Sequence, residues 1–287
     1  MAAPCSTNLE ILPRSNGFGA QIEGLDLSEP LSTEHVAAIR QAWLTHKVVF
    51  FPNQPLSHSQ LEQFALQFGQ FGVDPFVKPV TGHKHVLEVR REPDETVIPF
   101  GASWHSDWSF QKAPPSATIL HGKIIPPCGG ETQFADGVRA YDKLDKTLKN
   151  ELTGLRAIHS ARRPYSHEGY QRSGGRKRSM TIEPSDAAWD SQTHPIFRTH
   201  PETGEIALWV NPVYTIGIEG LSDIEAKDVL RRITQHQLKE EFIYTHKWSE
   251  NMLTMWDNRC VHHAALGGYD GHLRVMHRVT LAGDIPT

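Results

Sequence analysis

An imidazole and a carboxylate lie two residues apart in the motif Trp104–Asp107. If this segment is a strand, residues i and i+2 project to one face, so His105 and Asp107 can both reach one metal ion. The pair alone is a weak signal, because the same side chains can hydrogen-bond at the end of an ordinary strand. A histidine from elsewhere in the chain would turn it into a metal site.

Two adjacent candidates for that histidine, His262 and His263, follow the strand-like stretch Met252–Trp256. Neighbouring side chains of an extended backbone face opposite ways, so only one of them can point at the ion. The residues alone leave the choice between them open. Two histidines and one carboxylate would leave coordination positions free, as in non-haem Fe(II) oxygenases.

Two arginines lie four residues apart in the strand-like segment Leu273–Leu281. This even spacing places Arg274 and Arg278 on one face, with Cα atoms roughly 13 Å apart at about 3.3 Å per residue. Guanidinium groups bind carboxylates through two hydrogen bonds. Near a metal, the pair would suit a dicarboxylate and a second anion, whereas on a surface strand it would have no such role.

The elements that must position these groups are short strands with a few helices between them. Helices are predicted after Ser32 or Thr33, after the capping box Ser57-x-x-Gln60 with Gly69 past its end, near Tyr141–Leu152, and after the capping box Ser222-x-x-Glu225. Strands are predicted at Lys47–Phe51, Thr118–Leu120, Ala207–Val210, Met252–Trp256 and Val275–Leu281. This pattern indicates a mostly β fold with flanking helices and a β-sandwich or jelly-roll core.

Composition excludes several classes of protein. The chain of 287 residues has a formal net charge of −4 and no apolar run long enough to span a membrane, so neither nucleic acid nor a membrane is expected as a partner. Cys5, Cys128 and Cys260 are too few and too far apart for a disulfide framework. The N-terminal stretch MAAPCSTNLE lacks a secretory pattern. We therefore expect a soluble, cytoplasmic protein with a single domain over 1–287.

The basic, glycine-containing stretch Arg162–Arg178 shows no clear periodicity. A solvated, mobile loop is the simplest interpretation, and a lid over an anionic ligand or a basic targeting patch are alternatives. It falls within an expected insertion at about 160–205, which would include any active-site lid.

At this point the sequence resembles the taurine/2,4-D dioxygenase family of 2-oxoglutarate-dependent oxygenases. The resemblance covers nearly the whole chain. Within the family, the sequence looks most similar to the aryloxyalkanoate (phenoxypropionate) dioxygenases. The matching motifs, in order, are WHSDWSF (Trp104–Phe110), PPSATIL (Pro114–Leu120), PPCGGET (Pro126–Thr132), WDNRCVHH (Trp256–His263) and VMHRVT (Val275–Thr280). The resemblance implies a double-stranded β-helix (jelly-roll) core.

The resemblance also implies roles for individual residues. His105 and Asp107 match the metal pair, and the third ligand, six residues after the aspartate of WDN, is His263. Thr132 and Arg274 match residues that bind the C5 carboxylate of 2-oxoglutarate. Arg278 matches an arginine shared between the C1 carboxylate region and the anionic group of the substrate.

Three further residues are expected near the substrate. The histidine that contacts sulfonate in the taurine enzymes corresponds to Asp74, which argues against taurine. Trp108 and Phe110 follow the metal pair and could form an apolar wall or simply belong to the core. These assignments favour an aryloxy or alkyl acid.

The implied enzyme uses Fe(II), 2-oxoglutarate as co-substrate and O2. It would hydroxylate a small organic anion, often with cleavage of the unstable adduct, and release succinate and CO2. A metal-dependent hydrolase on a jelly-roll scaffold and a non-catalytic jelly-roll binding protein are the alternatives. The expected partner is a small anionic substrate, with no nucleic acid and no membrane, and a homo-oligomer is left open.

Overall fold

The computed structural model describes residues 9–287, apart from the side chain of Arg176. Cys5 and most of the N-terminal stretch considered above lie outside these residues. The helices are α1 (Thr33–His46), α2 (His58–Leu66), α3 (Gly137–Asp142), α4 (Lys146–Leu152), α5 (Arg162–Tyr165), α6 (His167–Arg172) and α7 (Asp223–Gln237). The strands are β1 (Glu10–Pro13), β2 (Ala20–Glu23), β3 (Val48–Phe51), β4 (Leu87–Arg91), β5 (Ala117–Ile124), β6 (Thr132–Asp136), β7 (Arg156–Ser160), β8 (Ser191–Pro195), β9 (Phe197–Thr199), β10 (Ile206–Leu208), β11 (Thr215–Ile218), β12 (Ile243–His246), β13 (Leu253–Asp257), β14 (Val261–Ala265) and β15 (Arg274–Leu281).

The strands form one large sheet and three small ones. The large sheet has seven strands in the order β1-β2-β3-β13-β5-β15-β4, and a three-stranded sheet has the order β12-β6-β14. The smaller sheets are β11-β7-β8 and β10-β9. All pairs are antiparallel except β2 with β3. The expectation of a mostly β protein with flanking helices is confirmed. Among the described residues, the helices include none long and apolar enough to cross a membrane.

The central strands of the large sheet are buried on both faces, which explains the continuous apolar run of β3. Val49 and Phe51 face a core shared with α1 and α2, whereas Val48 and Phe50 face the core shared with β6, β12 and β14. Strand β15 follows the same alternation, with Val279 on the helix side. Its even-numbered positions therefore project between the two sheets, and these include both arginines.

Local sequence signals predicted several elements well. Ser57 and Ser222 each accept a hydrogen bond from the backbone of the third helical residue in a complete capping box, which opens α2 and α7 as predicted. The single helix predicted near Tyr141–Leu152 is wrong. Asp145 accepts from the backbone N–H of Leu148 and begins a second helix, so α3 and α4 are separate.

The basic stretch Arg162–Arg178 contains short helices in place of the predicted loop. Ser166 ends α5 and caps α6 by accepting from the backbone N–H of Gly169. A Cβ atom on Gly169 would lie 2.1 Å from the carbonyl oxygen of Arg163, so only glycine permits this close approach. The stretch is therefore folded against the rest of the protein.

Asp257 forms a buried ion-pair network with Arg259 and His200 at the end of β13. Asp257 accepts hydrogen bonds from Arg259 Nε at 2.8 Å and Nη2 at 2.7 Å, and from His200 Nε2 at 3.0 Å. Burial raises the pKa of the Asp257 carboxyl, but Arg259 and His200 together outweigh burial and hold that pKa well below its usual range. The carboxylate thus ties the chain after β9 to β13.

This network predicts a pH-dependent loss of stability. The folded-state pKa of Asp257 lies below the unfolded value of about 3.9, so its contribution is present above that pH and is lost as the pH falls. Asp257→Asn should lower the free energy of unfolding at pH 7 by roughly 3–5 kcal/mol. It should also flatten the fall of this free energy between pH 5 and about pH 3.5, measured by urea denaturation. Asp190→Asn, at an exposed position, is the control and should keep the wild-type slope. Equal slopes for wild type and Asp257→Asn would contradict the assignment.

Candidate active site

Three buried side chains from two parts of the chain meet between the sheets. His105 and Asp107 lie in the connection between β4 and β5, and His263 lies on β14. His105 Nε2 is 3.5 Å from Asp107 Oδ1, and His263 Nε2 is 3.8 Å from Asp107 Oδ2. One ligand atom from each residue lies within 4.8 Å of the others. This spacing suits a shared divalent cation.

The predicted strand at Trp104–Asp107 is wrong in detail. His105 makes an isolated antiparallel bridge to His263, with backbone N–H groups donating at 3.0 and 2.8 Å in the two directions. The chain then turns, and Trp108 has a φ of 45° in the left-handed region. Both metal-facing side chains are therefore positioned by one backbone pair and a turn.

Hydrogen bonds orient both side chains of the pair. His105 Nδ1 lies 2.7 Å from the carbonyl oxygen of Ser103, which leaves Nε2 free to face the centre. Asp107 Oδ2 accepts a hydrogen bond of 2.5 Å from Thr118 Oγ1, and that hydroxyl accepts from Asn258 Nδ2 at 2.9 Å. Sequence reasoning missed Thr118 and Asn258, although both lie in the motifs PPSATIL and WDNRCVHH.

Asp107 carries the negative charge of the centre. Burial raises the pKa of its carboxyl, but the Arg278 guanidinium and the two histidines outweigh burial and hold the pKa well below its ordinary value. Arg278 Nη1 donates to Asp107 Oδ1 at 3.4 Å. The Asp107 carboxyl is therefore ionised throughout the physiological pH range, and its oxygens can serve as ligands for a metal ion.

The adjacent histidines differ in what they face. The ring of His263 lies beside Trp256, with centroids 4.7 Å apart, and its Nε2 faces Asp107. His262 is 1% exposed, and neither of its ring nitrogens has a hydrogen-bond partner. Burial, with His105 nearby, lowers the pKa of His262 to about 3. His262 is thus a neutral core residue outside the cluster.

The donor set of His105, Asp107 and His263 fits a metal ion. Two imidazole nitrogens and one carboxylate oxygen are ligands for a first-row divalent metal, and they leave further coordination positions open. A second cluster, His200, Asp257 and Cys260, does not fit one. There Arg259 donates hydrogen bonds to the Asp257 carboxylate. His200 Nδ1 accepts hydrogen bonds from two backbone N–H groups, so the proton of this ring is on Nε2 and neither ring nitrogen is free to bind a metal.

A narrow cavity of about 40 Å³ extends from the metal-facing histidines to Thr132, Arg274 and Arg278. Arg274 is 5% exposed, donates to the carbonyl oxygen of Gly130 at 3.3 Å, and has no partner for its Nε. Burial lowers the pKa of Arg274. No carboxylate of residues 9–287 forms an ion pair with it. Thr132 Oγ1 accepts a hydrogen bond of 3.0 Å from Trp248 Nε1.

Arg278 lies between two carboxylates. Its Nη2 donates to Asp74 Oδ1 at 2.7 Å on the side away from Asp107. Asp74 also accepts hydrogen bonds from Trp108 Nε1 and from Thr280 Oγ1, the latter at 3.3 Å. The guanidinium carbon lies 4.8 Å from the centre of the Trp108 ring. The structure therefore brings together the predicted residues Arg278, Asp74 and Trp108.

A wider pocket of about 430 Å³ opens from the metal cluster to the surface. Its walls are mainly aromatic and aliphatic, and the basic stretch supplies one side. Residues that line it include Phe100, Trp108, Tyr165, Ile182, Val213 and Tyr214, together with Arg172, Arg178 and Arg278. Phe110 is not among them and packs against Phe76, Trp108 and Tyr214. Sequence reasoning missed Tyr165 and Tyr214, which have no periodic or motif signal of their own.

Known proteins that are similar to this chain in sequence or in structure include several dioxygenases. Residues 10–280 match the family model described as "Taurine catabolism dioxygenase TauD, TfdA family". An alpha-ketoglutarate-dependent sulfate ester dioxygenase of Pseudomonas putida is 30% identical over 285 residues, covering 99% of this chain and 93% of the relative. An alpha-ketoglutarate-dependent 2,4-dichlorophenoxyacetate dioxygenase of Cupriavidus pinatubonensis is 32% identical, covering 86% and 88%. The crystal structure of AAD-2 in complex with Mn(II) and N-oxalylglycine has a TM-score of 0.78 and 29% identity, covering 98% of this chain and 99% of that one.

The two histidines can be separated by experiment. His263→Ala should lose most of its affinity for Mn(II) or Fe(II) in a calorimetric titration without oxygen, because it removes a nitrogen that faces Asp107. His262→Ala should keep most of that affinity, since its side chain lies outside the cluster. Circular dichroism would check that both variants fold. The reverse order of affinities would mean that the register of β14 is shifted by one residue.

Proposed function

This chain belongs to the TauD/TfdA family and is a 2-oxoglutarate-dependent dioxygenase, and we propose that it hydroxylates a small organic anion with an apolar body. In this proposal His105, Asp107 and His263 hold Fe(II), and O2 is the oxidant. Thr132 and Arg274 hold the distal carboxylate of 2-oxoglutarate, whose C1 end lies at the metal. The products are succinate, CO2 and the hydroxylated substrate, which breaks down where the hydroxyl joins a carbon bonded to oxygen or sulfur.

The observation that carries this proposal is the state of Arg274. A buried guanidinium without a carboxylate is costly, because one hydrogen bond to the carbonyl oxygen of Gly130 replaces only part of its lost solvation and none of the missing negative charge. Among residues 9–287 no acidic side chain pairs with it. It lines the same cavity as His105 and His263. A dicarboxylate with one end at the metal would supply the missing charge at the other.

Bound at this centre, Fe(II) would supply the electrons with which dioxygen is activated as 2-oxoglutarate loses CO2. The chain's own contribution is positioning. The Ser103 carbonyl fixes the ring of His105, and Thr118 fixes Asp107. The apolar walls around Trp108 and Tyr214 exclude water, so that the reacting C–H bond of the substrate lies next to the metal.

The pocket supports a substrate with an apolar body. Aromatic and aliphatic side chains dominate the wall of the 430 Å³ pocket, and its volume fits a small aryloxy or alkyl compound. The relatives named above act on sulfate esters and on 2,4-dichlorophenoxyacetate, which combine an acid group with such a body. A metal-dependent hydrolase would give no role to Thr132, Arg274 and Arg278 together. A non-catalytic binding protein would be expected to lack one of the three proposed metal ligands, and all three are present.

We also propose a jelly-roll core, a lid over the pocket and a cytoplasmic location for this protein. A jelly-roll core is supported by two antiparallel sheets, β12-β6-β14 and the β13-β5-β15 part of the large sheet, with the metal-facing residues between them. The insertion at about 160–205 includes α5 and α6 and contributes Tyr165 and Arg172 to the pocket, which supports a role as a lid. A single domain and a cytoplasmic location without nucleic-acid or membrane partners complete the proposal, and homo-oligomerisation stays open.

The proposed function can be tested by succinate release. Purified protein with Fe(II), 2-oxoglutarate and oxygen should release succinate, and a panel of sulfate esters, sulfonates and aryloxyalkanoates should contain compounds that accelerate it. Asp107→Ala removes the anionic ligand and should reduce this release to background. Release that does not depend on iron, or full activity in Asp107→Ala, would refute the assignment.

The role of Arg274 leads to a separate prediction. Arg274→Ala should weaken 2-oxoglutarate binding by about 3–5 kcal/mol, because the distal carboxylate would be buried without its charge partner. Arg274→Lys keeps the charge without the planar pair of donors and should lie between wild type and alanine. Calorimetry of the metal-loaded protein without oxygen measures all three affinities. If Arg274→Ala binds 2-oxoglutarate as the wild type does, another group holds the distal carboxylate.

A further inference from the structure

Three arginines line the outer pocket, and each has its own carboxylate. Arg278 pairs with Asp74, Arg178 has Glu95 at 3.9 Å, and Arg172 pairs with Glu168. The substrate's acid group must therefore compete with a carboxylate of the protein, whichever arginine it binds. The three ion pairs differ widely in burial, so the free energy needed to separate each arginine from its carboxylate differs as well.

The Arg278 pair is the hardest to open. The side chains of Arg278 and Asp74 are 6% and 9% exposed, and Nη1 of the same guanidinium is directed to Asp107. Trp108 Nε1 and Thr280 also donate to Asp74, so this carboxylate is held from three sides. An acid group placed at Arg278 would lie beside two buried carboxylates, and their repulsion is strong where water is excluded.

Arg178 is occupied by the backbone. Its Nε and Nη2 donate to the carbonyl oxygen of Ser173 at 3.1 and 2.9 Å, and its Nη1 donates to that of Ile98 at 2.8 Å. These bonds fasten the end of the basic stretch to the chain before Phe100. To bind a ligand, the guanidinium would have to release the wall of the pocket.

Arg172 is the accessible cation. Its side chain is 76% exposed, and its partner Glu168, one turn earlier on α6, is 60% exposed. Such an exposed pair is worth only a few tenths of a kcal/mol, since water screens both charges. Arg172 also lines the pocket, on the side supplied by the basic stretch. It can therefore exchange Glu168 for a ligand at little loss.

We propose that Asp74 keeps Arg278 from binding the substrate, and that Arg172 binds the acid group of the substrate at the mouth of the pocket. The inference rests on the proposed function and specifies how the substrate is oriented. The apolar body enters first and lies against Tyr165, Tyr214 and Val213. This orientation favours acids whose apolar chain or ring can extend from the mouth into the pocket.

The test compares acids with neutral counterparts of the same shape. The probes are 2-phenoxypropanoate with its primary amide, and hexyl sulfate with hexan-1-ol. Affinities are measured by calorimetry without oxygen on protein loaded with Fe(II) and 2-oxoglutarate. Wild type should bind at least one acid more tightly than its neutral counterpart. Arg172→Gln should reduce this acid-to-neutral ratio by about two- to fivefold, the loss expected for one ion pair at a solvent-exposed position.

Three controls make the result specific. Arg172→Lys keeps the charge and should keep most of the ratio. Lys177→Gln removes the same charge from an exposed side chain of the same stretch and should leave the ratio unchanged. Asp74→Asn keeps the shape but frees the charge of Arg278, and should raise the affinity for both acids. The Asn side chain can still accept the hydrogen bond from Trp108.

The outcomes separate this inference from the proposed function. An unchanged ratio in Arg172→Gln, no acid preference in wild type, or weaker acid binding in Asp74→Asn would each overturn the inference. None of these results affects the iron- and 2-oxoglutarate-dependent release of succinate, which tests the proposed function alone. Absence of that release, with the acid preference intact, would instead overturn the proposed reaction.

Discussion

Charge buried between two sheets is the constraint on which the centre of this protein depends. Asp107, Arg278 and Asp74 form a chain of alternating charge in which each group stabilises the next. Thr118 also donates to Asp107, and Trp108 and Thr280 also donate to Asp74. The chain compensates itself, so Arg278 does not require a ligand, whereas Arg274 on the same strand does. In the proposed function, this difference between a paired and an unpaired arginine separates the place of the co-substrate from that of the substrate.

This distribution of paired and unpaired charges depends on the burial of β15 on both of its faces. Because β15 is covered by α2 on one face and by the metal-side cavity on the other, its alternating residues serve different purposes. Val279 and Leu281 pack into the core, and Arg274 and Arg278 project towards the centre. The backbone pair between His105 and His263 then joins the connection before β5 to the smaller sheet, which brings the ligands together without a continuous strand.

Local sequence signals predicted which helices and strands are present better than they predicted where these elements are interrupted or where the chain turns. The capping boxes at Ser57 and Ser222 depend on residues three apart, so neighbouring sequence is sufficient to define them. Asp145 interrupted the helix predicted near Tyr141–Leu152, because a cap can begin a new helix inside a continuous apolar pattern. The turn at Trp108 was missed since a positive φ at a tryptophan is rare and has no sequence signature.

The sequence by itself determined the family, the reaction class and the residue types available for metal and anion binding, because these are carried by short motifs in a recognisable order. Only the tertiary structure decided which groups pair. Asp74 and Arg278 are 204 residues apart in the chain and meet because the connection after α2 packs against β15. Arg172 reaches the pocket because α6 folds over its mouth. Such contacts depend on how distant segments pack, and no local spacing encodes them.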